Sequence, residues 1–356
     1  MLAINPEMIK LARESRGLNQ GDLCALLGVA QGTISKIENG LIQPSPELVQ
    51  NLCNVLDYPA SFFSQSENIY ASSYIYYRRR LSMTKKNLSV SEAKRNIIRI
   101  GIEKLLNSID LPETNLFHWD VSQHGSPQDA AHLLRERWRL PKGKVDNLTK
   151  VIEDNGIIIV PFDFGGDKID GISQYTEKNH PLIFVNNKLS PDRYRLTIAH
   201  ELGHLILHFG NPIAEDRDVE AEAFMFASEL LVPADDFRKS FEHLDFKVLT
   251  NLKLYWKVSM AALVMKAKQI GSITENQAKY LFAQLSALGY KLQEPPELSP
   301  PREYPMLIKE ILQVYREQLG YTAEEMGSLL HLHYTDFQNY FNLDTGRLRV
   351  VRGAHG

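Results

Sequence analysis

The sequence has almost no cysteine. Cys24 and Cys53 are the only two in 356 residues. Both lie in apolar helical patterns, which reads as buried free thiols and leaves neither a disulfide framework nor a cysteine metal site. Long apolar runs are also missing. Nothing approaches the roughly 20 residues that a membrane helix needs, and charged residues near the N-terminus stand where a signal sequence would carry its apolar core. The chain therefore reads as cytoplasmic with no membrane partner. A large charge of either sign is the third absence. The formal net charge is −3, so no global cationic field announces nucleic acid. A chain of 356 residues exceeds one small core and predicts two or three domains.

What is present centres on one stretch, Arg193-Tyr194-Arg195-Leu196-Thr197-Ile198-Ala199-His200-Glu201-Leu202-Gly203-His204-Leu205-Ile206-Leu207-His208. It reads as a single helix. His200 and His204 are four apart and share a face, so their imidazoles can grip one metal ion. Glu201 beside them is placed as a general base for an attacking water. A third ligand is expected downstream, in the helical stretch Asp218 to Pro233. There Glu220, Ala223, Ala227 and Leu230 fall on one face, and the small alanines allow close approach to the first helix. Glu220 is the expected ligand and Glu222 the fallback, with Glu222 and Glu229 assigned to a wetter face. Two histidines and a glutamate leave a fourth position for water, which marks a catalytic zinc (Zn2+) site rather than a closed structural one. His208 continues the row, but as a hydrogen-bonded residue at the helix end.

Around this helix the elements follow from pattern. Pro127–Trp138 and Asn147–Asn155 read as helices. Ile157–Val160, Gly171–Tyr175 and Pro181–Asn186 read as strands. Leu182–Val185 is apolar throughout and belongs at the centre of the small sheet, with Gly171–Tyr175 at an edge able to hold an extended peptide. Residues 244–270 read as helical, 293–305 as a proline-rich linker, and about 306–318, 322–330 and 334–341 as short terminal helices.

The first 60 or so residues form a different kind of unit. Residues 5–63 read as a bundle of short helices broken at Gly17-Leu18, Gly28-Val29 and Gly40. Ile34 and Ile37 of the third helix face inward. Gln31, Gly32, Thr33, Ser35 and Lys36 are left outward, and small hydrogen-bonding residues on an exposed helix suit a major groove. Residues 1–64 hold only four bases (Lys10, Arg13, Arg16, Lys36) against six acids. Residues 70–104 hold nine bases against two acids, led by Arg78-Arg79-Arg80 and Lys85-Lys86 after Tyr70, Tyr74, Tyr76 and Tyr77. Such a patch can meet phosphates or form a solvated charged face. An amphipathic helix is expected over 91–106, capped by Ser91.

Two resemblances follow. Leu18-Asn19-Gln20, Leu23 to Val29 and Gln31 to Gly40 resemble the helix-turn-helix domain of phage-repressor-type (XRE family) regulators. That resemblance implies DNA binding, with Gln20 on a phosphate and Gln31, Thr33, Ser35 and Lys36 on the recognition helix. Gly32 departs from the family's bulkier choice. Lys168 to Ser173, Asp192 to His204 with His208, and Glu220 with Ala223, Phe226, Ala227 and Leu230 to Pro233 resemble the ImmA/IrrE family of metallopeptidases over residues 127–270. The resemblance implies His200, His204 and Glu220 as zinc ligands and Glu201 as the catalytic glutamate. Val232 and the pair Phe224-Met225 depart from the pattern at positions expected to lie away from the chemistry.

The expected fold is α+β and mostly α. It comprises a helix-turn-helix domain (1–66), a basic helical linker region (67–126), a zincin-like domain with a small sheet and the His-Glu-x-x-His helix (127–292), and a C-terminal helical cap (293–356). The expected function is a DNA-binding transcriptional regulator with a zinc-dependent endopeptidase domain. Its partners would be a double-stranded DNA operator, bound as a homodimer, and a protein substrate such as another helix-turn-helix regulator or an antitoxin-like protein. Two rivals share the same motifs. One is a transcription factor whose peptidase-like domain only senses or binds. The other is an antitoxin-type binding protein.

Overall fold

The computed structural model describes residues 4–69, 84–211, 213–214, 216–291 and 293–341. Arg78-Arg79-Arg80, the four tyrosines before them and the basic tail at 346–356 lie outside the described residues. The chain divides into two compact units, residues 1–110 with 308–356, and residues 111–307.

The first unit opens with α1 (Pro6–Ser15), α2 (Gln20–Leu27), α3 (Gln31–Glu38) and α4 (Pro46–Leu56). Local chemistry sets their ends. Asn19 and Asp22 form a reciprocal capping box at the start of α2. Gly28 ends that helix with a φ of 67°, a conformation that suits glycine. Leu23, Ile34, Ile37, Leu52 and Leu56 close the core, as their spacing predicts. A fifth helix, α5 (Lys85–Leu105), starts six residues before the expected 91. The cap is Thr84, whose side chain accepts from the Asn87 amide at 3.2 Å, and Ser91 is buried inside the helix. The early turns leave no mark in the sequence because Lys85 to Ser89 shows no apolar period.

After a one-turn helix at Val121–His124, the second unit continues with α6 (Pro127–Arg137) and α7 (Leu148–Asp154). Strands β1 (Ile158–Phe162), β2 (Gly171–Tyr175) and β3 (Pro181–Asn186) follow. The sheet order is β1-β3-β2. β3 is buried along its whole length and lies central, parallel to β1 with Ile159 opposite Ile183. β2 is an edge strand, antiparallel to β3 with Ser173 opposite Ile183.

Next come α8 (Pro191–Leu207) and α9 (Val219–Leu231), then α10 (Phe246–Trp256), α11 (Met260–Gln269) and α12 (Glu275–Ala287). The single helical run expected over 244–270 is two helices. Lys257 adopts a left-handed φ of 58° and Ser259 caps the new helix, so two backbone signals override a continuous apolar pattern. Ile159, Ile183, Val185, Ile198, Leu202, Leu205, Phe226, Leu230 and Trp256 share one apolar core. Each contributes about 1.5–3 kcal/mol by leaving water.

Buried ion pairs hold α8 in that core. Lys253 lies 2.8 Å from Asp192 and 2.6 Å from Glu294. Arg195, 1% exposed, pairs with Glu303. Glu303 also accepts from the amide and hydroxyl of Thr149, each at 2.8 Å. The proline-rich stretch is therefore pinned to the second unit, and Arg302 adds bonds to the carbonyls of Asn187 and Leu189. Glu229 is not on a wet face. It is 2% exposed, paired with Lys266 and 3.1 Å from His132.

The chain returns to the first unit with α13 (Leu307–Glu317), α14 (Ala323–Leu329) and α15 (Tyr334–Tyr340). Thr322 and Glu325 form the expected capping box. Asp336 receives the Arg16 guanidinium, and the Tyr58 hydroxyl meets that of Tyr340 at 2.9 Å.

Candidate metal centre and nucleic-acid face

The two histidines stand one turn apart on α8, with Nε2 atoms 3.1 Å from each other. Glu220 enters from the first turn of α9. Its carboxylate oxygens lie 3.5 Å from His200 Nε2 and 3.3 Å from His204 Nε2. A tetrahedral ion with bonds of about 2.0–2.1 Å requires ligand atoms about 3.3 Å apart. The three side chains meet that requirement, and the imidazoles are buried while the carboxylate is half-buried. Glycine makes the approach possible. A Cβ on Gly203 would sit 3.0 Å from the Phe226 ring and 3.3 Å from Ala223 Cα, so any larger residue would push α9, and Glu220 with it, away from α8.

Glu201 is 2% exposed beside these ligands. Its Oε2 accepts from the Ser173 hydroxyl at 3.0 Å. β2 can lie this close because its first residue has no side chain. A Cβ on Gly171 would meet Thr197 Cγ2 at 2.7 Å and Glu201 Cγ at 2.9 Å. The edge strand thus fixes the carboxylate that the sequence marks as the base. In the sequence Ser173 stands out only as part of a motif, and its tie to Glu201 depends on the pairing register.

A hydrogen-bonded row backs His204. Its Nδ1 lies 2.9 Å from His208 Nδ1, and His208 Nε2 lies 3.0 Å from Glu222 Oε2. A metal on His204 Nε2 would leave the proton on Nδ1, which would donate to His208, and His208 would donate in turn to Glu222. Burial, with the neighbouring His204 next, pushes His208 down to about 4. It is therefore neutral at neutral pH, as this tautomer chain needs. Glu222, the fallback ligand, is engaged here and by Arg217 at 2.6 Å. Burial opposes its charge, but the Arg217 and His208 hydrogen bonds hold it below the usual carboxylate range. Phe224, expected away from the chemistry, packs on His200 instead. Its ring centroid lies 4.3 Å from that of His200, so this departure does touch the site.

In the first unit, α3 presents Gln31, Gly32 and Lys36 to solvent, with Thr33 and Ser35 half-buried. Nothing would meet a Cβ on Gly32 within 4 Å, so its absence leaves the helix surface low at that point. Asn39 donates to the Ser35 carbonyl at 2.8 Å and steadies the helix end. Gln20 is held rather than free, with its Nε2 donating to Glu38 Oε2 at 2.7 Å. Glu38 also takes Arg13 at 2.6 Å. With Arg16 on Asp336, two of the four local bases serve the fold, while Lys10 and Lys36 stay exposed.

Comparison with known proteins finds a family match in each unit. Residues 152–268 match the IrrE N-terminal-like domain of the M78 peptidases, and residues 9–63 match the helix-turn-helix family. No curated protein matches the chain. The chain carries an IrrE/ImmA-like peptidase domain fused to an XRE-type DNA-binding domain, with a histidine–glutamate cluster able to coordinate a divalent metal. Among the described residues no helix is long and apolar enough to cross a membrane.

Proposed function

We propose that this protein is a cytoplasmic transcriptional regulator that binds an operator as a homodimer and carries a zinc-dependent endopeptidase of zincin type. Its substrate is a regulatory protein, a repressor-like or antitoxin-like partner. The observation that carries the reading is the convergence of His200, His204 and Glu220 at tetrahedral spacing with Glu201 held alongside by Ser173. A site that only bound metal would have no use for an oriented carboxylate that is not a ligand. The softer donor set of two imidazoles and one carboxylate suits zinc better than magnesium or calcium.

When bound, zinc supplies Lewis acidity to the scissile carbonyl and acidifies water. The chain's own residues do the rest. An extended substrate adds to the edge of β2 through main-chain hydrogen bonds, which brings its backbone past Glu201. Glu201 takes a proton from the attacking water and delivers one to the leaving amine. Burial of Glu201 keeps bulk water from competing for that proton. Ser173 donates to Oε2 and fixes the carboxylate's rotation. On the DNA side, Gln31, Thr33, Ser35 and Lys36 would enter the major groove, and Gln20 would meet a phosphate.

The test is a Glu201→Gln variant of the full chain, with partner proteins supplied as substrates in vitro and with repression measured in cells. Cleavage lost while zinc content and operator binding persist is the expected result. Repression and derepression unchanged in that variant would instead favour a regulator that works by binding alone.

A further inference from the structure

Phe224 lies four residues after Glu220 and so occupies the same face of α9, one turn along. Ala223, Phe226 and Ala227 on the same helix are fully buried, whereas Phe224 and the adjacent Met225 are not. Phe224 is 49% exposed although it leans on a metal-ligand histidine, with its ring tilted 48° to the His200 imidazole. The core does not need this ring, since α9 is seated through Ala223 and Phe226 on Gly203. An aromatic side chain that is half in water beside a ligand-holding imidazole is available to whatever occupies the site. Aromatic faces take other rings and branched aliphatic groups, and give nothing to a charged carboxylate.

We propose that Phe224 is the specificity-determining wall of the peptidase site and receives a large apolar side chain from a substrate residue flanking the scissile bond. The proposal rests on the endopeptidase reading and deepens it. The site then selects cleavage positions next to phenylalanine, leucine or similar residues. Such residues are buried in a folded helical regulator, so the substrate would be cut in a segment that is extended or locally opened.

The test uses binding rather than turnover, because hydroxamates chelate zinc without being cleaved. The zinc-loaded full chain is titrated by calorimetry with N-acetyl-phenylalanine hydroxamate and N-acetyl-glycine hydroxamate. Wild type should bind the phenylalanine probe at least about 10-fold tighter, the scale of selectivity an apolar subsite provides. Phe224→Ser should bring the two probes to within about 2-fold, while zinc content and glycine-probe affinity hold. Phe224→Leu should restore most of the preference, as a wall of apolar area predicts. Equal binding of both probes by wild type, or a preference that survives in Phe224→Ser, would overturn the proposal while leaving the metal-site reading intact. Failure of the chain to take up zinc would overturn the metal-site reading and this proposal with it, and zinc-loaded protein that binds neither probe would overturn this proposal alone.

Discussion

The two helices that carry the candidate site residues place them in opposite surroundings. On α8, His200, Glu201 and His204 are each 2% exposed and are held by side chains from β2 and α9. On α3, Gln31 and Lys36 stand in solvent, and only Ile34 and Ile37 are needed by the core. The contrast follows from what each helix must do. A metal site needs ligand atoms placed to a few tenths of an ångström, which demands neighbours on every side. A groove-reading helix needs side chains free to meet bases, so the fold constrains only its inner face.

The contrast can be broken by substitution. Glu201→Gln should lower peptide hydrolysis by about 10²- to 10⁴-fold, measured on a cleaved partner protein, with the circular dichroism spectrum unchanged. A fall of only a few-fold would mean the oriented carboxylate is not the base. Second, His208→Phe or Glu222→Ala should weaken zinc binding by about 10- to 100-fold in a chelator competition, because the row behind His204 sets its tautomer. Unaltered affinity would reduce that row to packing. Third, Gln31→Ala should cost about 1–3 kcal/mol on an operator selected from random duplexes, read by fluorescence anisotropy, with zinc content untouched. Equal loss on all sequences would reassign Gln31 to the backbone.

The smallest expected effect concerns acid stability of the second unit. Burial works against the Asp192 charge, but Lys253 and Ser190 hold it below its ordinary value. Its folded pKa is thus below the unfolded one, so its stabilisation is complete above the unfolded value of about 3.9 and is lost as pH falls further. Thermal melts should show a shallower acid slope in Asp192→Asn than in wild type. Identical slopes would show that the ion pair does not couple to proton binding.

The same contrast explains what could be read from sequence. His200, His204 and Glu220 were legible because helical spacing alone puts them on facing sides of two helices. The alanines of α9 announced the close approach that Gly203 permits. Ser173 was not legible as a partner of Glu201, since that depends on the register of β2 and on Gly171 leaving room. Glu229 looked solvated because its partners, Lys266 and His132, come from distant segments. The break at Lys257 was missed because an apolar pattern continues through it and a left-handed lysine carries no sequence mark. On α3, the inward isoleucines were plain. The state of Gln20 was not, because its tie to Glu38 joins two helices.

The most direct test of the central claim is metal content. Full-length wild type, Glu201→Gln and His200→Ala would each be incubated with zinc, desalted and measured by elemental mass spectrometry. The account predicts about one zinc per chain in the first two and loss in the third, as a three-ligand site requires. Wild type that keeps no zinc, or His200→Ala that keeps as much as wild type, would contradict it.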